Sequence, residues 1–240
     1  MPGRIAALSS RALRIAAELP GEEPARLARW LYRFGTAPRT PEAERDFGPG
    51  DDAMAVLGLT PGGPARIRLE AAFEATTYPG WIGFARGNGL PAACKLYVSP
   101  APAALAEAFP TIATVLDRME VRAFKVGRGL GGLLRPDKIV AYFADRGQLA
   151  ATAAALARAL PHCPAQGVPF TAALSEDGLL SWGIDPPPGS EAASWRAWVT
   201  RRIAAAILAA RPARGEAAVT AARRGLAATG IDPDAWLCAS

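Results

Sequence analysis

The sequence predicts an α+β fold, with a mixed β-sheet core, helices at both termini and further helices flanking the sheet. Three observations carry that prediction. Short apolar runs of strand length, AACKLYVSP, VRAFKV and KIVAYF, fill the middle of the chain and are bounded by turn residues. Longer segments with apolar residues at helical spacing occupy both ends. Half of the 240 residues are apolar, which is enough for a packed core and argues against global disorder.

The elements follow in order. Residues 4–18 place Ile5, Leu8, Leu13 and Ile15 at helical positions, and Pro20-Gly21 stops the run. Residues 22–34 form a second helix, with Pro24 tolerated in its first turn and Leu27, Trp30, Leu31 and Phe34 facing inward. Trp30 and Tyr32 either pack or stack on a ligand. Residues 35–63 are rich in Pro, Gly and charge and read as a long loop with a short helix near 53–57, serving as a lid or as a plain surface connection. Residues 66–73 and 80–84 read as strands, and the aromatic stretch 78–84 flanks a pocket or walls the core. Residues 92–99 form a strand ended by Pro100. Residues 101–119 form a helix with Leu105, Phe109, Ile112, Val115 and Leu116 inward and Pro110 as a kink.

Residues 121–126 form the next strand, 127–132 a glycine loop, and 138–143 a nearly continuous apolar strand expected at the sheet centre. A helix over 146–160 and strands over 167–174 and 178–184 follow, ended by Asp185-Pro186-Pro187-Pro188. Ser190-Glu191 opens a long amphipathic helix carrying Trp195, Trp198, Val199, Ile203, Ile207 and Leu208. Pro212 ends it, and 215–229 is the last helix. There is no internal repeat. The chain reads as a single domain, 1–240, with an N-terminal helical part and loop (1–63), an α+β core (64–188) and C-terminal helices (189–240).

The formal net charge is +5, much of it on terminal arginines such as Arg201, Arg202, Arg223 and Arg224. That charge is either a solvated basic face or a field that steers an acidic or phosphorylated peptide. No helix-turn-helix, zinc-finger or RNP pattern is present, so no nucleic acid is expected as a partner. Cys94, Cys163 and Cys238 are odd in number and widely spaced, no signal peptide is evident, and no apolar run reaches membrane-spanning length. A cytoplasmic protein with reduced thiols and no membrane contact is expected. The lone histidine, His162, has no visible metal partner, so neither a metal nor a cofactor is expected.

Two strands each set one lysine among apolar neighbours. Side chains alternate across a strand, so Lys95, Tyr97 and Ser99 share a face, while Leu96 and Val98 take the other. Lys125 likewise opposes Phe124 and Val126. A lysine in a short apolar strand is costly unless its ammonium meets water or an anion. Arg128, Arg135 and Lys138 crowd the segment that follows. The expectation is a cationic pocket on one sheet face that holds a phosphate or carboxylate.

The glycine run 127–132 is neither GxGxxG nor a Walker loop, and no kinase catalytic-loop or DFG motif accompanies it. It is either a flexible hairpin loop or a loop whose N–H groups and Arg128 approach a phosphate. No GxSxG or Ser/His/Asp order stands out. Ser99, Ser181 and Ser190 suit caps and turns, Asp185 suits a structural role, and Asp137 beside Lys138 reads as a local ion pair.

A strand holding Lys95-Leu96-Tyr97, a helix, a strand with Phe124-Lys125-Val126, an arginine-bearing loop and a strand running Lys138-Ile139 to Tyr142-Phe143 resemble a phosphothreonine lyase. The pattern is most similar to the HopA type III effector family, whose relatives act as lyases in class V lanthipeptide and thioamitide clusters. It is also distantly similar to the lyase domain of class III and IV lanthipeptide synthetases and to the OspF/SpvC effector lyases. The resemblance covers roughly residues 78–187, with LYRFG near Leu31 in addition. It implies a carbon–oxygen lyase that eliminates phosphate from phosphothreonine or phosphoserine of a precursor peptide, giving dehydrobutyrine or dehydroalanine. A separate kinase-like partner protein would phosphorylate that peptide. It also implies Lys125 as the base that removes the Cα proton, a task that needs its pKa far below about 10.4. Lys95 would then steady the carbonyl or the phosphate. Tyr97 stands where those lyases tend to hold an acidic histidine. A tyrosine hydroxyl can fill that role, or His162 or water can, or the activity is lost. Arg128, Arg135 and Lys138 are expected as phosphate ligands, and Tyr142 either adds a hydrogen bond or is a plain sheet position. The alternative is a non-catalytic module that binds a phosphopeptide or a partner through the same pocket.

Overall fold

A computed structural model describes residues 3–19, 23–48, 50–87, 92–186, 189–190, 194–211 and 213–238. The breaks expected at Pro20-Gly21, Pro187-Pro188 and Pro212 lie outside those residues, as does Glu191. The helix expected to open at Ser190 instead starts at Trp195, with Ser194 as its N-cap.

The N-terminal part holds α1 (Arg4–Glu18), α2 (Pro24–Arg33), α3 (Pro41–Phe47), a 3-10 helix (Gly50–Leu57) and α4 (Pro64–Glu70). The centre holds β1 (Glu74–Tyr78), β2 (Trp81–Ala85), β3 (Cys94–Val98), α5 (Pro102–Arg118), β4 (Ala123–Gly127), α6 (Gly129–Leu133), β5 (Ile139–Phe143), α7 (Arg146–Ala159), β6 (Ala172–Ala173) and β7 (Leu180–Ile184). The C-terminal part holds α8 (Trp195–Ala209), α9 (Gly215–Ala228), β8 (Ile231–Asp232) and β9 (Leu237–Cys238). The α+β class stands. The main sheet runs β1-β2-β4-β5-β3-β7-β6, so β5 is central as its apolar run implies. Each of its strand pairings is antiparallel.

Alternation along the strands divides the sheet into two chemically different faces. Leu96, Val98, Phe124, Val126, Ile139, Ala141 and Phe143 are buried with Leu105, Phe109, Ile112 and Leu116 of α5 and Leu149 and Leu156 of α7. Each of the valine, leucine, isoleucine and phenylalanine side chains contributes about 1.5–3 kcal/mol of hydrophobic stabilisation relative to exposure. The opposite face carries Lys95, Tyr97, Lys125, Val140 and Tyr142, which register pairs side by side: Lys95 with Tyr142, Tyr97 with Val140, and Lys125 with Val140. A second core closes over this face. Leu13 of α1, Leu27 and Leu31 of α2, Trp195, Val199 and Ile203 of α8, and Val219 and Leu226 of α9 are buried together. Helix α8 comes in close because β7 has no side chain at Gly183. A Cβ there would lie 2.9 Å from Trp195 Cδ1.

Four expectations are corrected. Residues 66–73 are not a strand, because Pro64 opens α4 at its first turn. The edge strand is instead β1, whose Thr76-Thr77-Tyr78 favours extended backbone. The glycine run is not a hairpin loop: Gly129–Leu133 is helical, packed so closely on the end of β4 that a Cβ on Gly127 would lie 2.4 Å from the Gly132 oxygen. Of residues 167–174, only Ala172–Ala173 joins the sheet. Residues 35–63 are no plain loop, since Phe47, Ala53, Met54 and Leu57 are buried in the larger core.

Candidate active site

The polar face of the sheet and the inner side of α2 and α8 enclose a narrow cavity of about 30 Å³. Its walls come from Lys95 and Tyr97 of β3, Lys125 of β4, Val140 and Tyr142 of β5, Trp81 of β2, Tyr32 of α2, and Arg196 of α8, with Asp137 and Ser194. The two strand lysines converge here. Lys95 Nζ lies 5.5 Å and Lys125 Nζ 5.7 Å from the centroid of the Tyr142 ring. Lys125 Nζ also sits 4.1 Å from the Trp81 centroid. Lys125 makes neither a hydrogen bond nor an ion pair among the described residues, and these ring contacts are what hold its amine.

Burial pushes the Lys125 amine down to about 8, and the positive charges of Lys95 and Arg135 add to the effect while Asp137 opposes it. At neutral pH roughly a tenth of such an amine is unprotonated, against well under a thousandth for an ordinary lysine. Lys95 is 7% exposed, and its ammonium is held by Asp185. Burial also pushes the Tyr97 and Tyr142 hydroxyls upward, so both stay protonated and keep a hydrogen to donate.

Asp137, 4% exposed, organises the rear of the cleft. Arg135 grips it with Nε and one terminal nitrogen, each 2.9 Å from a carboxylate oxygen. An Arg196 terminal nitrogen lies 2.8 Å from its Oδ2. Burial opposes ionisation of Asp137, but the two guanidinium groups overcome that and hold its carboxyl well below the usual range. Arg135 also donates to the Tyr32 hydroxyl at 2.8 Å, and Arg196 donates to the Tyr32 carbonyl at 2.8 Å. Arg196 is 1% exposed, and its Nε has no hydrogen-bond partner among the described residues. That is an unspent donor on a side chain that lines the cavity.

The expected site residues therefore divide. Lys95, Tyr97, Lys125 and Tyr142 share the cavity, and Arg135 borders it over the Trp81 ring at 4.7 Å. Arg128 and Arg135 line an adjoining groove of about 620 Å³ that shares Tyr32 and Asp137 with the cavity. Lys138 is not brought to either. It has no exposed surface, and its ammonium donates to the Pro100 carbonyl and to Gln166. Burial pushes its pKa down to about 7, with Asp137 opposing.

Four residues of the site lie outside the expected catalytic and phosphate-binding set, although the sequence leaves Tyr32 a ligand-stacking role. Asp137 is a buried hub rather than a local ion pair with Lys138, Asp185 is the partner of Lys95, Tyr32 is a wall of the cleft, and Arg196 reaches in from α8. A signal for Arg196 does exist. It lies in register with the buried Val199, Thr200 and Ile203 on the apolar side of α8, where a charge needs a buried partner. No group of three or more His, Cys, Asp or Glu side chains among the described residues could hold a metal ion. No helix among them is long and apolar enough to cross a membrane.

No known family profile matches this chain, and no curated protein sequence matches it. Solved structures do. An effector protein from Pseudomonas syringae pv. tomato strain DC3000 is similar at 13% identity, over 97% of this chain and 98% of that one, with a TM-score of 0.59. An effector protein from Pseudomonas syringae pv. syringae strain 61 is similar at 15% identity, over 98% and 99%, with a TM-score of 0.52. The type III effector and phosphothreonine lyase OspF from Shigella flexneri is similar at 14% identity, over 51% of this chain and 78% of that one, with a TM-score of 0.40. At these identities, what the chain shares with the two Pseudomonas effector proteins is a fold that runs almost end to end through both.

Proposed function

We propose that this protein is a cofactor-free carbon–oxygen lyase acting on phosphothreonine or phosphoserine in a peptide. One observation carries the reading: two lysines from different strands meet at the ring of Tyr142 in a buried cleft, and one of them, Lys125, has its pKa pushed down to about 8. A neutral amine held among cations suits removal of a weakly acidic proton beside a carbonyl. In the proposed step, Lys125 takes the Cα proton, that electron pair forms the Cα–Cβ double bond, and the Cβ–O bond breaks as phosphate leaves. Lys95 steadies the charge that develops on the carbonyl. The Tyr97 hydroxyl donates a hydrogen bond to the departing oxygen. Arg196, through its unpartnered Nε, and Arg135 and Arg128 from the groove side balance the phosphate charge. The product is dehydrobutyrine or dehydroalanine.

The setting proposed for this chemistry is the biosynthesis of a lanthipeptide or thioamitide in the cytoplasm. The substrate would be a precursor peptide phosphorylated by a separate kinase-like protein. Support comes from the motif resemblance. The test is to incubate the protein with a synthetic phosphothreonine peptide and follow its intact mass. Loss of phosphoric acid by the wild type and no loss with Lys125→Ala are expected. An unchanged mass with the wild type overturns the reading.

One arrangement favours a second reading, a binding module without chemistry. Lys95 is already paired with Asp185 and Arg135 with Asp137, so the pocket's charges are held in place as a receptor's would be. Tight binding of the same phosphopeptide with no change in its mass would select that reading.

A further inference from the structure

The groove beside the cleft is roomier than the cleft itself, and its walls are strongly basic. Four arginines line it, Arg29 and Arg33 of α2 with Arg128 and Arg135. Asp137 is the single carboxylate among its described lining residues, and its charge is committed to Arg135 and Arg196. Arg29 and Arg33 make no ion pair among the described residues, so their charge is left for a ligand. Arg29 and Arg33 lie one turn apart on α2 and are exposed. Leu27, Ala28 and Leu31 on the buried side fix the helix against the rest of the second core. Across the groove the wall is main chain. A Cβ on Gly80 or on Gly131 would meet nothing within 4 Å, so a bound chain has room to lie against the backbone. Tyr32 and Asp137 belong to both spaces, so the groove opens directly beside the lysine cleft.

We infer that this groove is a second anionic subsite, which takes acidic side chains flanking the reacting residue of the same peptide, with Arg29 and Arg33 as its specificity-determining residues. The shared chemistry is a carboxylate or phosphate met by arginine forks. The inference rests on the proposed elimination for the identity of the peptide, but not for the binding itself. Flanking acids would hold the peptide in register while the phosphorylated residue enters the cleft. Their effect therefore falls on KM rather than on the bond-breaking step.

The experiment uses the full chain and matched phosphothreonine peptides whose neighbouring residues are Glu, Gln or phosphoserine. Binding of the corresponding unphosphorylated Glu and Gln peptides is followed by fluorescence anisotropy. With the wild type, the Glu peptide should show a KM and a Kd about fivefold or more below the Gln peptide, an advantage that fades as salt rises. In Arg29→Glu/Arg33→Glu the ratio should fall to about one or reverse. The phosphoserine peptide separates the sources: a further gain over Glu assigns the subsite to phosphate, and parity assigns it to acidic residues in general. Equal KM and Kd for Glu and Gln peptides, or a variant that keeps the wild-type preference, overturns the inference. Preference for the Glu peptide in binding, with no elimination by the wild type, keeps the subsite and removes the lyase reading. Elimination without any flank preference does the reverse.

Discussion

Asp137 and Arg135 form a two-pronged ion pair, with both contacts at 2.9 Å, at the junction of the lysine cleft and the arginine groove. The carboxylate is shared with the fully buried Arg196 from α8, so it also ties the C-terminal helices to the sheet. The two arginines at the rear of the cleft share this one buried negative charge.

Asp137→Asn removes that charge and leaves Arg196 buried without a counter-ion. A loss of about 3–5 kcal/mol is expected, read as a lower urea midpoint at pH 7. The sign with pH follows from the direction of the shift. The folded carboxyl sits below its unfolded value, so its stabilisation is present at pH above roughly 5 and is lost as the pH falls through 4 and below. The wild type should lose stability over that acid window, and Asp137→Asn should lose less. Equal midpoints for the two proteins at pH 7 would show that the network does not support the fold.

Lys138→Met should separate packing from phosphate binding. The ammonium serves the Pro100 carbonyl and Gln166, so its removal should cost on the order of 1–3 kcal/mol by leaving those acceptors unpaired. KM for a phosphopeptide should not change. The wild type binds a proton at Lys138 less readily folded than unfolded, because burial lowers its pKa to about 7. The unfolded chain therefore carries more protons between about pH 7 and 10, and stability rises with pH there. Lys138→Met should flatten part of that rise. A tenfold increase in KM would instead place this side chain on the substrate.

Gly127→Ala tests why the glycine run exists. A Cβ there would collide with the backbone of Gly132, so β4 and α6 must part. Overpacking of this kind costs about 1–3 kcal/mol. It would also displace Lys125, two residues upstream, so turnover should fall more than stability accounts for. Gly131→Ala, whose added Cβ meets no protein atom within 4 Å, should leave stability close to unchanged.

The meeting of Lys95, Tyr97 and Lys125 was legible because a strand permits only two faces and a cation in an apolar strand takes the polar one, whereas Tyr142 was equally compatible with a plain sheet position. The central place of residues 138–143 was legible for the same reason. What alternation cannot reveal is which distant helix returns to a given face. Arg196 and Tyr32 reach the cleft only through the packing of α2 against α8, a contact between chain ends that leaves no local mark. Asp137 was misread because adjacency to Lys138 suggested a neighbourly pair, whereas consecutive residues here point to different environments. Arg66–Arg68 and Ile67–Leu69 alternate as a strand would, but seven residues fit both periods, and Pro64 decided for the helix. Three of the five residues of Gly129–Leu133 are glycine, so its helix propensity is low and the close contact of Gly127 with Gly132 helps to fix its turn.

The most direct test of the lysine mechanism is the pH dependence of kcat/KM for elimination from a phosphothreonine peptide. This quantity reports the free enzyme, in which burial holds the Lys125 amine at about 8. The rate should climb tenfold per pH unit below about 8 and level off above it, a limb distinct from the phosphate's own ionisation near pH 6. In Asp137→Asn, which removes the charge that raises this pKa, the limb should move to lower pH. A rate that is flat from pH 6.5 to 9, or a limb that does not move in that variant, would contradict Lys125 as the base.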